Sequence, residues 1–203
     1  MNAFLARLVG AGRFVLLTTL LGVSLAGCGV NNIPTEEEAA KAKWSQVLNQ
    51  YQRRADLIPN LVETVKGYAK QEAQVLEAVV NARARATSVQ LPADVLNNPE
   101  AFRKFQEAQS QLSGALGRLL VVTEAYPELK SNQNFLALQS QLEGTENRIS
   151  VARRDYIEAV QAYNTELKTF PGVIWASTLY KGNKPMETFT IAEETKRPPQ
   201  VKF

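Results

Sequence analysis

Histidine is absent from this 203-residue chain, and cysteine occurs once, at Cys28. Without histidine there is no Ser-His-Asp triad, no Cys-His dyad, no histidine-ligated zinc centre and no Glu-x-x-His di-iron motif. A lone cysteine permits no internal disulfide, so stability has to come from a packed core. Strand patterning is missing as well: between residues 36 and 170 nothing sustains alternation by two with β-branched enrichment. With no strand there is no strand-borne glycine-rich phosphate loop. Charge of one sign is scarce, with 23 Lys and Arg against 20 Asp and Glu. Nucleic acid calls for a clustered basic face, so it is not an expected partner. No cofactor and no metal site is indicated, and no catalytic residue is assigned. Only carboxylates are left for catalysis. Glu143 and Glu146 sit three apart on one helical face, and Glu63 and Glu72 lie upstream; a glycosidase pair is conceivable, but solvated helix surface or a packed polar contact is the expected role.

What is present begins at the amino end. Arg7 and Arg13 precede an apolar run from Phe14 to Ala26, and Leu25-Ala26-Gly27-Cys28 follows. That is the layout of a secretory signal, and the run is shorter than the roughly 20 residues needed to span a bilayer. The pattern resembles a bacterial lipobox. The resemblance implies a signal peptide over residues 1–27 and a diacylglyceryl-modified, further acylated Cys28 as the first mature residue. Two or three chains on one residue anchor a protein stably where one does not, so membrane lipid is the expected partner. Without Arg7 and Arg13 the basic count falls from 23 to 21 against 20 acidic groups, close to neutrality. Gly29 is not the aspartate that resembles an inner-membrane retention signal. In a host with two membranes the expected site is therefore the outer membrane, facing the periplasm.

Residues 28–35 read as a lipidated tether, and residues 36–203 as one helical domain with an irregular tail over 171–203. Thr35-Glu36-Glu37-Glu38 has the capping-box pattern. Ala40, Trp44, Val47, Tyr51, Ala55 and Ile58 then recur at three and four, one apolar helical face. Pro59 lacks an amide proton and its ring clashes with the carbonyl four residues back, so the helix is expected to end or kink there. Leu61, Val65, Tyr68, Glu72, Val75, Val79, Ala82 and Ala86 resume the spacing, widened by Val62, Ala69, Leu76 and Val80. Gly67 is too small a penalty to break the stripe, and Glu72, charged on an apolar face, is expected to pair with an arginine of the last helix or sit at a rim. Asn98 can cap a third segment beginning at Pro99, with Phe102, Phe105, Leu112, Leu116 and Leu119 on its buried face and Gln109 and Thr123 as polar members. The last helix is the most regular, with Phe135, Leu142, Ile149, Tyr156 and Tyr163 in one seam and Leu136, Val151, Ile157, Val160 and Leu167 in a second. The expected fold is all-α: an antiparallel up-and-down bundle of four helical segments, or three with the first kinked at Pro59.

The stretch from Arg53-Arg54-Ala55-Asp56 through Pro59-Asn60-Leu61-Val62-Glu63 to Lys66-Gly67-Tyr68 resembles the signature of the LemA family. A second block agrees, from Asn134-Phe135 through Leu142-Glu143-Gly144-Thr145-Glu146-Asn147-Arg148, then Ala152-Arg153-Arg154-Asp155-Tyr156 and Tyr163-Asn164. Phe170-Pro171 and the terminal Pro199 to Phe203 match too. The resemblance implies a helical, membrane-anchored bacterial protein facing outward from the cytoplasmic membrane, and no established reaction. Arg53, Arg54, Asp56, Asn60 and Glu63 gather within eleven residues at the proline. They are either the chemistry of a helix joint, with Asp56 and Asn60 satisfying released backbone groups, or a polar patch for an envelope protein. The expected function is a lipid-anchored, non-enzymatic scaffold or adaptor of the bacterial cell envelope. The alternatives are an envelope enzyme or accessory protein related to the cell wall, and a binding module for a small apolar ligand.

Overall fold

The computed structural model describes residues 29–190. The signal segment, Cys28 and the terminal Pro199 to Phe203 lie outside the described residues. The described residues are all-α: α1 (Asn32–Tyr68), α2 (Ala73–Ser88), α3 (Pro99–Thr123), the short α4 (Pro127–Lys130), α5 (Gln133–Glu166) and α6 (Gly172–Thr178), with single 3-10 turns at Lys70–Glu72 and Val95–Asn97.

Helix α1 starts earlier than the capping-box pattern suggests. Its first residue is Asn32, and Thr35 lies inside it, donating its hydroxyl to the Asn31 carbonyl at 2.7 Å. Ile33 is fully buried, so residues 32–35 belong to the fold and not to a tether. Glu37 and Glu38 instead hold Lys41, each at 2.8 Å.

Pro59 neither ends α1 nor divides it; the helix runs 37 residues with the proline inside. A proline there leaves the carbonyl of Ala55, four residues back, without its amide donor. Arg83 of α2 fills the vacancy, donating Nε–H to that carbonyl at 2.8 Å. Asp56 and Asn60, expected to serve the joint, do not: the Asp56 carboxylate accepts from Gln52 Nε2 at 2.8 Å, and Asn60 contributes its own carbonyl to Thr64 at 2.8 Å. The real interruption comes later in the chain. Just past Gly67 the chain leaves the helix at Ala69 (φ −118°, ψ 58°), whose N–H still reaches the Val65 carbonyl at 2.8 Å. Glu72 lies in the 3-10 turn that follows and accepts from the Tyr126 hydroxyl at 2.9 Å, so its partner is a tyrosine and not an arginine.

Asparagines cap the next two long helices. Asn98 Oδ1 accepts from Ala101 N at 3.1 Å at the head of α3, and Asn132 Oδ1 from Phe135 N at 3.0 Å at the head of α5. Helix α5 lies along α1, and the bonded pairs run in opposite order: Asn32 with Glu166 at 3.2 Å, Lys43 with Asp155 at 3.2 Å, Arg54 with Glu146 at 2.6 Å, and Tyr68 with Asn132 at 2.9 Å.

The expected seams are largely interior. Trp44, Val47, Tyr51, Ile58, Leu61 and Val65 of α1 are buried, as are Phe135, Leu142, Ile149, Tyr156 and Tyr163 of α5. Of the residues expected to widen the seams, Val62, Ala69, Leu76, Val160 and Leu167 are buried, whereas Val80, Leu136 and Val151 are exposed, as is Tyr68 of the main stripe. Buried side chains fall into two clusters. One gathers Trp44, Tyr51, Phe102, Phe105, Tyr156 and Phe189; the other gathers Ile58, Leu61, Val79, Leu112, Leu119, Phe135 and Leu142. In the first, Trp44 meets Phe105 edge-on at 5.2 Å and Tyr156 at 5.3 Å between ring centroids, geometries favoured by the ring quadrupoles.

After α5 the expected irregular segment is interrupted by one short helix, and residues 180–190 beyond it carry no regular secondary structure. Helix α6 forms, and the chain beyond it straps the first cluster, burying Met186 and Phe189. Gly172 is required at the head of α6, because a Cβ there would stand 2.1 Å from the Glu166 carbonyl oxygen.

Candidate functional site

The two apolar clusters are separated by a polar layer centred on Arg54. Tyr51 and Ile58 flank it on α1, Phe105 and Leu112 flank Gln109 on α3, and Leu142 and Ile149 flank Glu146 on α5. Arg54 is 1 % exposed, so its guanidinium has left water entirely and needs full compensation. Nη1 donates to Glu146 Oε1 at 2.6 Å and to Ser113 Oγ at 2.7 Å. Nη2 donates to Gln109 Oε1 at 2.7 Å and to the Gln109 carbonyl at 3.3 Å. The guanidinium carbon also stands 5.0 Å from the centroid of the Tyr51 ring, a favourable cation–π distance. Gln109 passes the network on, its Nε2 donating to the Ala86 carbonyl of α2 at 3.4 Å. One charged group thus ties α1, α3 and α5 together directly and α2 through an amide.

A cleft of about 350 Å³ opens onto this layer, lined by Arg54, Gln109, Ser113, Glu146 and Arg153 among others. The Arg54 Nε–H is buried there without a partner among the described residues. Glu146 keeps 42 % of its side chain exposed and so forms the solvent side of the pair. Glu143, the other member of the sequence pair, lies exposed and accepts from Gln139 at 3.0 Å. The two carboxylates are therefore not presented together to a common cleft. Among the described residues no group of three or more Cys, Asp or Glu is placed to hold a metal ion.

The five residues of the proline-centred cluster separate. Arg54 is interior and corrects the reading that placed it on a surface patch. Arg53, Asp56, Asn60 and Glu63 are exposed and, at spacings of three, four and three, share one face of α1. Glu63 stands 3.5 Å from Lys66 on the same helix. Sequence reasoning missed the role of Arg54, although the signal was there: it follows Tyr51 by three and precedes Ile58 by four, which is the buried stripe itself. Gln109 was legible as a polar member of the α3 face. Ser113 and Arg83 carried no signal, since their roles depend on partners far away in sequence.

A second polar set fastens the strap. The Asn164 amide reads the Met186 backbone at both groups, accepting from its N–H at 2.8 Å and donating to its carbonyl at 2.9 Å. The Tyr156 hydroxyl donates to the Glu187 carbonyl at 2.7 Å, and Glu187 N–H donates to Leu96 carbonyl at 2.7 Å. Arg153 lies 4.4 Å over the Phe189 ring. Burial pushes the hydroxyls of Tyr156, Tyr51 and Tyr163 above the ordinary tyrosine value, so all three are neutral at physiological pH. No helix among the described residues is long and apolar enough to cross a membrane.

Comparison with known proteins bears on residues 43–203, which match the model of the LemA family. Among curated proteins, the magnetosome proteins MamQ 1 and MamQ 2 of Paramagnetospirillum magneticum are 26% identical over 157 residues, covering 70% of this chain and 58% of their own length. The magnetosome protein MamQ of Magnetospirillum gryphiswaldense is 24% identical over the same length. The chain thus spans little more than half of these relatives.

Proposed function

The chain belongs to the LemA family, and on that premise we propose that it is a lipid-anchored, non-enzymatic scaffold or adaptor of the bacterial cell envelope. In this reading Cys28 carries the acyl chains, the helices form an antiparallel up-and-down bundle, and the exposed face of Arg53, Asp56, Asn60 and Glu63 receives an envelope protein. The observation that carries it is the disposition of the polar groups. The terminal N–H groups of Arg54 and the hydroxyls and amides around Tyr156 and Asn164 are spent on the protein's own side chains and backbone. On the Arg53–Glu63 face of α1, by contrast, Asp56 and Glu63 meet only Gln52 and Lys66 of their own helix. The relatives named for the magnetosome fit a part in a cellular assembly. In a host with two membranes the reading puts the anchor in the outer membrane.

Intact-mass analysis of the mature amino terminus, run with membrane fractionation, tests the anchoring. A diacylated or triacylated Cys28 recovered with the outer membrane is expected, together with an unprocessed, unlipidated Cys28→Ser variant. An unmodified mature terminus rejects the anchor, and recovery wholly with the inner membrane rejects the outer-membrane assignment. The rival apolar-ligand reading has one observation in its favour, a groove of about 520 Å³ between α1 and α2 lined by Val62, Leu76 and Val80 together with the charged Glu63, Lys66, Lys70 and Glu77. Co-purification of a lipid or small apolar molecule at unit stoichiometry, lost in Leu76→Asn, would favour it over the scaffold.

A further inference from the structure

The exposed large apolar side chains of the described residues are not scattered evenly. Nine are exposed, and four of them, Phe170, Val173, Ile174 and Leu179, fall within ten residues at α6. Phe170 is 80 % exposed, more than any of the others. Phe170, Val173 and Ile174 are exposed at the entry to the turn, whereas Trp175 and Ala176 are partly buried and pack on the first apolar cluster. Exposed apolar side chains gathered in one short segment mark an interaction surface in a way that single ones do not.

The position of this segment says what covers it. Gly29, next to Cys28 in sequence, sits directly against the base of α6: a Cβ on Gly29 would stand 3.2 Å from Pro171 Cγ. Asn32 holds Glu166 at 3.2 Å, so the start of α1, the end of α5 and α6 share one end of the molecule. Any membrane attached at or before Cys28 therefore meets this end first. Lys168, Lys181 and Lys184 flank α6 in sequence and are exposed, with Glu166 at the same end. Exposed apolar side chains with lysines nearby in sequence are a composition that seats in a lipid interface, with the charged ends at the head groups.

We propose that the exposed apolar residues Phe170, Val173 and Ile174 form a second membrane contact, inserted into the lipid interface beside the amino-terminal anchor, with the flanking lysines against anionic head groups. This deepens the anchored reading and rests on it for the nearness of the membrane. Two attachment points fix the long axis of α1 and α5 relative to the bilayer, where a single tether at Cys28 would leave it free to swing.

The test uses the full, processed chain in phosphatidylethanolamine–phosphatidylglycerol vesicles, with photoreactive benzoylphenylalanine replacing Ile174 in one sample and Val121, exposed on α3, in another. Irradiation followed by mass analysis reads adducts. The expected result is lipid adduct at position 174 exceeding that at 121 by about tenfold or more, the ratio that burial of one large apolar side chain sustains. Equal adduct at both positions in vesicle-bound protein overturns the proposal and leaves the anchor standing; so does a protein–protein cross-link at 174 in place of lipid. The mass of the amino terminus in the same samples separates the two readings. An unmodified Cys28 with strong lipid adduct at 174 rejects the lipid anchor and keeps the α6 contact. Protein that does not sediment with vesicles and gives no adduct overturns both.

Discussion

Arg54 is the residue on which the interior turns. A buried guanidinium is stabilised by its partners less than it is destabilised by losing one, because the charge that remains has no water to turn to. Glu146→Ala is therefore expected to cost about 1 to 3 kcal/mol, reduced from a fully buried pair because its carboxylate is part-exposed. Replacing both partners, Arg54→Met with Glu146→Leu, is expected to recover most of that loss, since no unpaired charge is left. Urea midpoints of the two singles and the double read this directly, and strictly additive losses would contradict it. The buried tyrosines give the complementary signature in pH. Tyr51, Tyr156 and Tyr163 have folded-state ionisation raised by burial, so their contribution is complete below the unfolded value of about 10 and is lost as pH rises above it. Alkaline unfolding is expected to be steep from about pH 10 upward and shallower in Tyr156→Phe. A midpoint indifferent to pH across that range would show that the hydroxyls are not held neutral.

Helix α1 is where sequence and structure part most instructively. Its apolar seam was readable because Trp44, Val47, Tyr51 and Ile58 recur at helical spacing and all are buried. Its continuity was not. A proline in a helix interior costs about 3 kcal/mol, and that figure argues for a break. Burial of Ile58, Leu61, Val62 and Val65 around the proline outweighs it, at about 1.5 to 3 kcal/mol for each large side chain. Arg83 removes the remaining penalty by pairing the orphaned Ala55 carbonyl. The true interruption at Ala69 was hidden for the opposite reason: Val65, Ala69, Leu76 and Val79 keep helical spacing across it and are all buried, so periodicity does not register the gap. Arg83→Met is expected to destabilise by about 1 to 3 kcal/mol through the unpaired carbonyl. Pro59→Ala restores an amide to that carbonyl and should make the Arg83 substitution nearly silent. Equal Arg83→Met losses with and without the Pro59→Ala substitution would show that the arginine serves some other purpose.

At the scale of the whole molecule, the two apolar clusters, the polar layer between them and the strap over one end divide the labour. The clusters supply burial, and the Arg54 layer fixes which part of each helix lies beside which, because a slip by one turn would leave its donors facing apolar side chains. The strap, read from sequence as irregular, is ordered by Tyr156 and Asn164, which lie in the second family block; its residues were unreadable because backbone groups far along the chain are their partners. What is left outside is a charged face on α1 and an exposed apolar segment at α6. The most direct measurement of the scaffold reading is in-cell cross-linking and recovery of the tagged full chain, comparing wild type with Arg53→Ala combined with Glu63→Ala. Both side chains are exposed, so the melting temperature should be nearly unchanged, within the roughly 0.5 kcal/mol typical of such surface sites. The predicted result is a stable double variant that no longer cross-links to specific envelope proteins; a stable double variant that keeps every wild-type partner would contradict it.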